Sequence, residues 1–199
     1  RLFGQGAFNA PLGENSAIRF AAFGGREDGY ISNRAMPNAD DLVEPEKYAA
    51  RLSFLHSNGP LDVFATLEGE TRGQTGAIYI PTGKGQIYQD LTGIFGDIAP
   101  GGERSANLDL SRGEADDGEI FSAGLEVNYQ FDGFTLTSFT GFKTHDYQYS
   151  EDFDGTPLSI NDYAQDQSGD YFEQEVRVVS ETDSDLSWYA GVSYYKENI

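Results

Sequence analysis

Apolar and polar residues alternate most strictly between Glu119 and Phe131. The apolar set of this stretch is Phe121, Ala123, Leu125, Val127, Tyr129 and Phe131. Because the alternation has a period of two, these side chains share one face of a β-strand and the polar residues occupy the other. Asp132-Gly133 follows, and Asp-Gly between two alternating segments is a strong signal for a tight hairpin turn. The stretch therefore predicts a β-hairpin whose second strand begins at Phe134.

Three further pairs of alternating segments have the same organisation. Their short turns are predicted at residues 11–15, 58–60 and 181–185, where turn-forming residues cluster. Long polar stretches separate the pairs and are predicted as loops over about residues 27–46, 73–118 and 146–169. The pattern predicts one all-β unit over residues 1–199, an antiparallel meander of about eight strands.

The connections alternate in length, which favours a membrane barrel over a soluble β-protein. Soluble sandwiches and barrels usually have short connections, and loops beyond about fifteen residues are uncommon in them. Outer-membrane barrels have short periplasmic turns and long extracellular loops. A strand of about ten residues, tilted by about 40°, rises roughly 25 Å, which is the height of the apolar band of such barrels. The sequence therefore predicts a segment of a transmembrane β-barrel.

Charged residues in the predicted strands fall on the polar phase of the alternation. We expect the following residues to line the lumen and to pair with one another: Arg51, Glu68, Glu126, Lys143, Glu173 and Arg177. The strand after Asp132-Gly133 has no cleanly apolar phase. Because Lys143 prefers water, we assign the phase that contains Phe134 and Phe142 to the outside, and Phe139 then points into the lumen.

Composition narrows the range of functions. The chain has 199 residues, a formal net charge of −20 and no Cys. The negative charge argues against nucleic-acid binding, and the missing Cys excludes a disulfide scaffold or a thiolate metal site. The sequence contains no run of about eighteen apolar residues, so it predicts no transmembrane helix. His56 and His145 lie near opposite ends of their strands, and no catalytic constellation stands out, so we do not expect an enzyme.

Three segments carry motifs typical of one family of barrels. An Asp-Gly-Tyr triplet lies in residues 17–33, a Thr-Leu-Thr-Ser strand opens residues 134–156, and residues 171–197 contain Phe-x-Gln-Glu-x-Arg followed by Trp-x-x-Gly. These segments resemble the barrel of TonB-dependent outer-membrane receptors. The resemblance implies a barrel of about 22 strands that is filled by a plug domain. The sequence opens at Arg1 and covers roughly a third of such a barrel, so we expect an excised piece without the plug.

The resemblance also implies a function and partners. Such receptors lie in the outer membrane of Gram-negative bacteria and import iron chelates, vitamins or carbohydrates with energy from TonB. The implied partners are outer-membrane lipid and lipopolysaccharide, the plug and TonB in the full-length protein, and a small-molecule substrate. The lumen charges would then contact the plug as well as one another.

Two groups of aromatic residues and one acidic loop are the candidate sites. Aromatic residues of the long loops could stack on a sugar or an aromatic chelate: Tyr79, Tyr88, Tyr147, Tyr149, Phe153 and Tyr163. Outward aromatics could form a girdle at the membrane interface: Tyr129, Phe131, Trp188 and Tyr194. Asp152 and Asp154 could supply oxygen ligands to Ca²⁺, although a solvated acidic loop explains them as well. We expect no cofactor beyond loosely bound divalent cations.

Other interpretations remain open at this stage. A barrel fragment has free strand edges, which template pairing with other chains and could build a β-stacked or amyloid-like fibril. A complete small eight-stranded barrel and a secreted, Ca²⁺-binding β-protein are further alternatives, which the very long predicted loop over residues 73–118 disfavours.

Overall fold

β-Strands make up most of the described chain. The computed structural model describes residues 1–81, 85–96, 98, 101–111, 115–181 and 186–199. The strands are β1 Leu2–Pro11, β2 Ser16–Arg26, β3 Ser32–Asn33, β4 Glu46–Asn58, β5 Leu61–Gly73, β6 Ser105–Ala106, β7 Ala115–Phe131, β8 Phe134–Asp152, β9 Asp162–Ser180 and β10 Tyr189–Asn198. A helix, α1, spans Gln86–Phe95. Within the described ranges, no helix has the length and apolar character needed to cross a membrane.

Eight strands form one antiparallel sheet in the order β1-β2-β4-β5-β7-β8-β9-β10. Each of these eight strands pairs with the preceding and the following strand of the sheet, so the sheet is a meander with β1 and β10 at its edges. β3 and β6 lie outside it. The predicted fold class is therefore confirmed. The Asp132-Gly133 turn joins β7 to β8, and Gly133 has φ +89°, a conformation that costs glycine little because it has no Cβ.

The register divides the sheet into two chemically different faces. Residues that oppose each other in antiparallel strands lie on the same face. One row across the sheet consists of Phe8, Phe20, Leu52, Leu67, Ala123, Phe142 and Phe172. The adjacent row on the other face consists of Ala7, Ala21, Arg51, Glu68, Ser122, Lys143 and Tyr171. We call the face of the first row the apolar face and that of the second the polar face.

Strand β8 is the one whose facing is hardest to derive from its own sequence, and its neighbours determine it. Phe142 pairs with Ala123 and Phe172, so its phase belongs to the apolar face. Phe139 pairs with Glu126 and Glu175 on the polar face. The register therefore agrees with the assignment made from Lys143.

The apolar face has a defined height. On β7 it extends from Phe131 to Phe121 and is then followed by Glu119, which pairs with Asp146 of β8. Ten residue steps at about 3.3 Å, tilted by about 40°, rise about 25 Å. Beyond this band both faces of β7, β8 and β9 carry mostly polar residues, although the strands continue.

The predicted loop over residues 146–169 is wrong in its bounds. The β8–β9 ladder continues to the Asp152–Asp162 pair, and only residues 153–161 connect the two strands. The alternation of apolar residues stops near Phe142, so the sequence pattern no longer indicates a strand beyond it. The strand continues all the same, because hydrogen bonds between backbones do not require an apolar face. The other two long connections cover residues 27–45 and 74–114. The second contains α1, which the sequence interpretation did not include; this helix has no side-chain N-cap and no acidic residue in its first turn.

The buried core of the described chain lies in the long connections, not in the sheet. Leu42 of the first connection packs with Ala106 and Leu108 of the second, and each is at most 1% exposed. Ile31 completes this cluster, and Val43, Ile78, Ile80 and Leu110 pack against it. We call the described parts of the connections 27–45, 74–114 and 153–161 the loop assembly.

Hydrogen bonds between the connections reinforce this core. The Asn33 side chain donates to the Leu108 carbonyl oxygen at 3.0 Å and accepts from the Leu108 N–H at 3.0 Å. β3 and β6 pair in parallel at the same place. The Asp109 N–H reaches the third connection by donating to the Thr156 carbonyl oxygen at 3.0 Å. The three connections therefore form one packed unit at one end of the sheet.

Candidate functional site

Three of the predicted loop aromatics lie side by side on the polar face of the outer β8–β9 hairpin. The ring centroids of Tyr147 and Tyr149 are 6.2 Å apart, and those of Tyr149 and Tyr163 are 6.1 Å apart. Tyr149 pairs with Gln165, and Tyr163 pairs with Glu151, so all of these side chains share one face. We call Tyr147, Tyr149 and Tyr163 the tyrosine platform.

Hydrogen bonds hold the central ring of the platform. The Tyr149 hydroxyl donates to the Glu151 carboxylate and accepts from the Ala77 N–H at 3.3 Å. Burial and the hydrogen bond to Glu151 raise the pKa of Tyr149 to about 12. The phenol therefore stays neutral at physiological pH and keeps both a donor and an acceptor.

Polar side chains surround the platform. The Arg72 guanidinium lies 5.6 Å from the centroid of the Tyr147 ring and 3.3 Å from an Asp116 carboxylate oxygen. Asp116 also accepts from the Gln74 amide at 2.6 Å. On the β9 side, Gln165 accepts from the Tyr163 hydroxyl at 3.0 Å and donates to Gln167 at 3.2 Å. The platform is therefore bordered by an ion pair on one side and by carboxamides on the other.

The remaining loop aromatics lie elsewhere. Tyr79 and Phe153 form a separate pair with ring centroids 4.8 Å apart, which links the second connection to the third. The Tyr88 side chain lies outside the described part of the chain. The sequence grouped the six residues by composition, and the structure brings three of them into the platform.

The acidic residues predicted as Ca²⁺ ligands hold the third connection. The carboxylate of Asp152, which is 2% exposed, accepts from the N–H groups of Asp109, Asp154 and Gly155 at 2.9–3.1 Å. Asp154 accepts from the N–H of Thr156 at 3.0 Å and from that of Asn161 at 2.9 Å. Burial, and next the neighbouring Asp154, raise the pKa of Asp152 to about 6, although the N–H groups oppose the shift.

A cation at this place has one further candidate ligand. Single carboxylate oxygens of Asp152, Asp154 and Asp162 lie within 4.8 Å of one another. Carboxylate oxygens suit Ca²⁺, but here backbone and hydroxyl groups already donate to them. The arrangement explains the loop geometry without an ion, and Ca²⁺ binding at Asp152 and Asp154 stays a prediction.

The predicted lumen charges all lie on the polar face, and three of the six form ion pairs. Arg51 donates to Glu68 of the neighbouring strand at 2.8 Å, and Arg177 lies 3.5 Å from Glu175 of its own strand. Lys143 lies 5.7 Å from the centroid of the Tyr171 ring, on the adjacent strand. The two remaining predicted charges do not join these pairs: Glu126 accepts from Asn128 at 2.7 Å, and Glu173 opposes Gly141 and Tyr195.

Three of the four predicted girdle residues meet at the short-turn end of the apolar face. The Tyr129 ring lies 4.6 Å from Phe131, which stacks on Phe134 at 4.8 Å. The Phe134 ring is 6.3 Å from Trp188, so the aromatic series crosses the β7–β8 turn to the start of β10. Tyr194 lies apart from them, opposite Gln174 and 6.4 Å from the Phe172 ring.

Sequence reasoning missed the polar partners of the platform. Gln165, Gln167 and Glu151 alternate with Ala164, Asp166 and Asp152 without any apolar phase. The signal that could have identified them is the i, i+2 spacing of Tyr147, Tyr149 and Glu151, which continues the β8 period beyond Phe142.

Comparison with solved structures identifies this arrangement of strands. Neither a family model nor a curated protein matches the sequence. The ferric yersiniabactin uptake receptor FyuA from Yersinia pestis superposes with a TM-score of 0.68 at 15% identity, over 97% of this chain and 28% of the receptor. This chain has the fold of a receptor-barrel segment.

A second receptor supports the same conclusion. The ferric-catecholate import receptor Fiu from E. coli K12 matches in its closed form with a TM-score of 0.65 and 15% identity, over 98% of this chain and 30% of Fiu. Its open form matches with a TM-score of 0.65 and 14% identity, over 98% of this chain and 32% of Fiu. The resemblance to the barrel of TonB-dependent outer-membrane receptors is therefore confirmed for the fold. The chain spans about a third or less of the length of these receptors.

Proposed function

We propose that the chain is part of the barrel wall of an energy-coupled importer in the outer membrane of a Gram-negative bacterium. The observation that carries this proposal is the apolar face. It crosses the sheet from β1 to β9, yet its large side chains remain exposed, with Phe20 at 48% and Leu125 at 42%. A contiguous exposed apolar surface of this extent is rare on soluble monomers and is suited to lipid.

The two ends of the sheet support an orientation. Tyr129, Phe131, Phe134 and Trp188 cluster beside the short turns, where a periplasmic aromatic girdle would lie. At the other end, the apolar band stops at Glu119 and Asp146, and the outer part of the β8–β9 hairpin and the loop assembly lie beyond it. We propose that this end faces the lipopolysaccharide surface and captures the substrate.

The polar face would then line the lumen. Its cross-strand pair Arg51–Glu68 and its row of polar residues suit contact with water and with a plug domain. Substrate entry would require TonB to displace that plug, as the resemblance implies. The solved receptors are named for the uptake or import of ferric chelates, which supports an iron chelate as the substrate. A vitamin and a carbohydrate are the other substrate classes that the resemblance implies.

Uptake by living cells tests the proposal. The gene for the complete protein is deleted, and uptake of a ferric catecholate, cobalamin and a neutral oligosaccharide is compared in wild-type, deleted and TonB-deficient cells. We expect uptake of one of these probes to fall equally in both mutants and to be abolished by a protonophore. Unchanged uptake of all three, or recovery of the protein outside the outer-membrane fraction, would overturn the proposal.

Divalent cations are a secondary part of the proposal. Asp152, Asp154 and the carboxylates above the apolar band would gather Mg²⁺ or Ca²⁺ at the lipopolysaccharide surface. Removal of these ions with EDTA should lower the melting temperature of the protein in detergent. An unchanged melting temperature would count against bound cations.

Self-assembly is the second candidate function. β1 and β10 are the sheet edges, and nearly all of their residues are exposed. Free edges could pair with other copies of the chain and stack into a fibril. Detergent-insoluble material with a cross-β reflection near 4.7 Å would support a fibril, whereas heat-modifiable migration of detergent-extracted protein would support a barrel.

A further inference from the structure

The tyrosine platform combines aromatic area with hydrogen-bonding groups. Tyr163 is 47% exposed, and the rings of Tyr147 and Tyr149 are half-buried beside it. Gln165 and Gln167 continue the same face of β9, two and four residues along the strand from Tyr163. A ligand on the rings would therefore also meet carboxamides, which donate and accept hydrogen bonds.

The charge around the platform selects against an anion. Asp116 and Glu151 border the rings as carboxylates. The neighbouring cation, Arg72, is paired with Asp116 and lies over Tyr147, and Lys47 of the same row is paired with Glu70 at 2.8 Å. The chain as a whole carries a formal charge of −20. An anionic ligand would meet repulsion here, since like charges in one site are unfavourable.

Neutral sugars have complementary chemistry. One side of a pyranose ring exposes C–H groups, which pack on an aromatic face, and its hydroxyls point outward in the ring plane. Those hydroxyls could donate to Glu151 and accept from the Gln167 amide. The Tyr147 and Tyr149 rings are inclined to each other by 18°, and the Tyr163 ring is tilted by 58° against Tyr149. The three rings therefore offer adjacent aromatic surfaces of different orientation, which suits successive sugar units of an oligosaccharide better than one flat ligand.

We infer that the tyrosine platform, with Glu151, Gln165 and Gln167, is a binding site for a neutral oligosaccharide. This inference rests on the proposed import function and selects one of its substrate classes. It disfavours an anionic ferric catecholate at this place, although Fiu is named for that class.

Binding to the purified, full-length protein in detergent tests the inference. The probes are maltotriose, cellotriose and xylotriose as neutral oligosaccharides, and the ferric complex of 2,3-dihydroxybenzoate as an anionic catecholate. The variants are Tyr163→Ala and Tyr147→Ala. Tyr189→Ala is the matched control, because Tyr189 is 84% exposed and lies on the polar face at the opposite end of the sheet. Heat-modifiable gel migration confirms that each variant is folded.

We expect at least one neutral oligosaccharide to bind, and each platform variant to weaken its binding about tenfold, whereas the control leaves it unchanged. The Tyr163→Phe variant should retain most of the affinity because it keeps the ring. Binding of the catecholate alone, binding of sugar that does not respond to the platform variants, or no binding of any oligosaccharide would overturn the inference. The uptake assay described above judges the importer proposal separately, because it includes substrates of the other classes.

Discussion

The sheet and the loop assembly differ in the exposure of their apolar residues. Leu42 and Leu108 of the loop assembly are each 1% exposed, whereas Leu125 in the middle of the sheet is 42% exposed. Full burial of such a side chain contributes about 1.5–3 kcal/mol. The leucines of the loop assembly gain this stabilisation by packing against other residues of the protein. The side chains of the apolar face remain exposed, and under the proposed function contact with lipid stabilises them.

The comparison also separates two sources of stability. The sheet is held by an almost continuous backbone ladder, and its stability should depend on the membrane. The loop assembly depends on a few buried side chains and on cross-links such as the one between Asn33 and Leu108. Substitutions should therefore affect one region without the other.

The largest effect is expected from Leu108→Ala. A cavity at this buried position should destabilise the loop assembly by about 2–5 kcal/mol and leave the sheet intact. Hydrogen–deuterium exchange should accelerate over residues 27–45 and 101–111 and remain unchanged in the inner halves of β7 and β8. Ile160→Ala is the control, because Ile160 is an exposed residue of the same assembly. Equal exchange in both variants would mean that the loops do not share a core.

Leu125→Arg should have the next largest effect, and on the other region. An arginine on the lipid face near the middle of a barrel costs about 2–4 kcal/mol. We expect reduced folding into lipid vesicles, measured by heat-modifiable migration, with loop protection preserved in the molecules that fold. Ser122→Arg places the same charge on the polar face, between Glu68 and Lys143, and should fold normally. Comparable loss in both variants would show that the apolar face does not meet lipid.

The pH dependence of the loop assembly should be smaller. The pKa of Asp152 is raised from 3.8 to about 6, so between these values the folded state binds more protons than the unfolded state. The contribution of this group to stability therefore falls as pH rises from about 4 to 6, by an amount on the order of 2 kcal/mol. Exchange of the Gly155 amide, corrected for the intrinsic rate, should be slower at pH 4 than at pH 7.

Asp152→Asn is the control for this titration. Asparagine has no ionisable group, so the change between pH 4 and 7 should shrink in the variant, whatever its overall stability. An identical pH profile in both proteins would assign the titration to another group.

The smallest effect is expected at the Arg51–Glu68 pair of the polar face. Both side chains are at least a third exposed, and exposed ion pairs typically contribute about 0.2–1 kcal/mol. A double-mutant cycle with Arg51→Gln and Glu68→Gln, measured by unfolding in vesicles, should give a coupling energy in this range that decreases with added salt. A coupling well above it would indicate that the lumen excludes water.

Much of the sheet could be predicted because its signal is local. The alternation from Phe121 to Phe131, the Asp132-Gly133 turn and the alternation of loop lengths can each be read from adjacent residues. The outer hairpin could not be predicted in this way. Residues Asp146 to Asp152 have no apolar phase, and apart from the i, i+2 spacing of Tyr147 and Tyr149 it is the pairing with β9 that makes them a strand.

The candidate site was predictable in its residue types but not in its grouping. Tyr147 and Tyr149 are close in sequence, whereas Tyr163 joins them through the β8–β9 register. Arg72 and Asp116 reach the same place from two other strands. Chain composition suggested that aromatic residues of the loops could bind a ligand, but it contained no information on which rings would be neighbours.

The sequence by itself determined the strand pattern and the two chemical faces, because both depend on residues at a spacing of two. It also determined the acidic character of the chain, because net charge depends only on the numbers of acidic and basic residues. The tertiary structure alone decided how far the strands extend, which loops share a core, and which tyrosines form the platform. The physical reason is that backbone ladders and loop packing join residues that are distant in the chain. Leu42 packs in one cluster with Leu108, and the Tyr149 ring lies beside that of Tyr163, although no local sequence pattern predicts either contact.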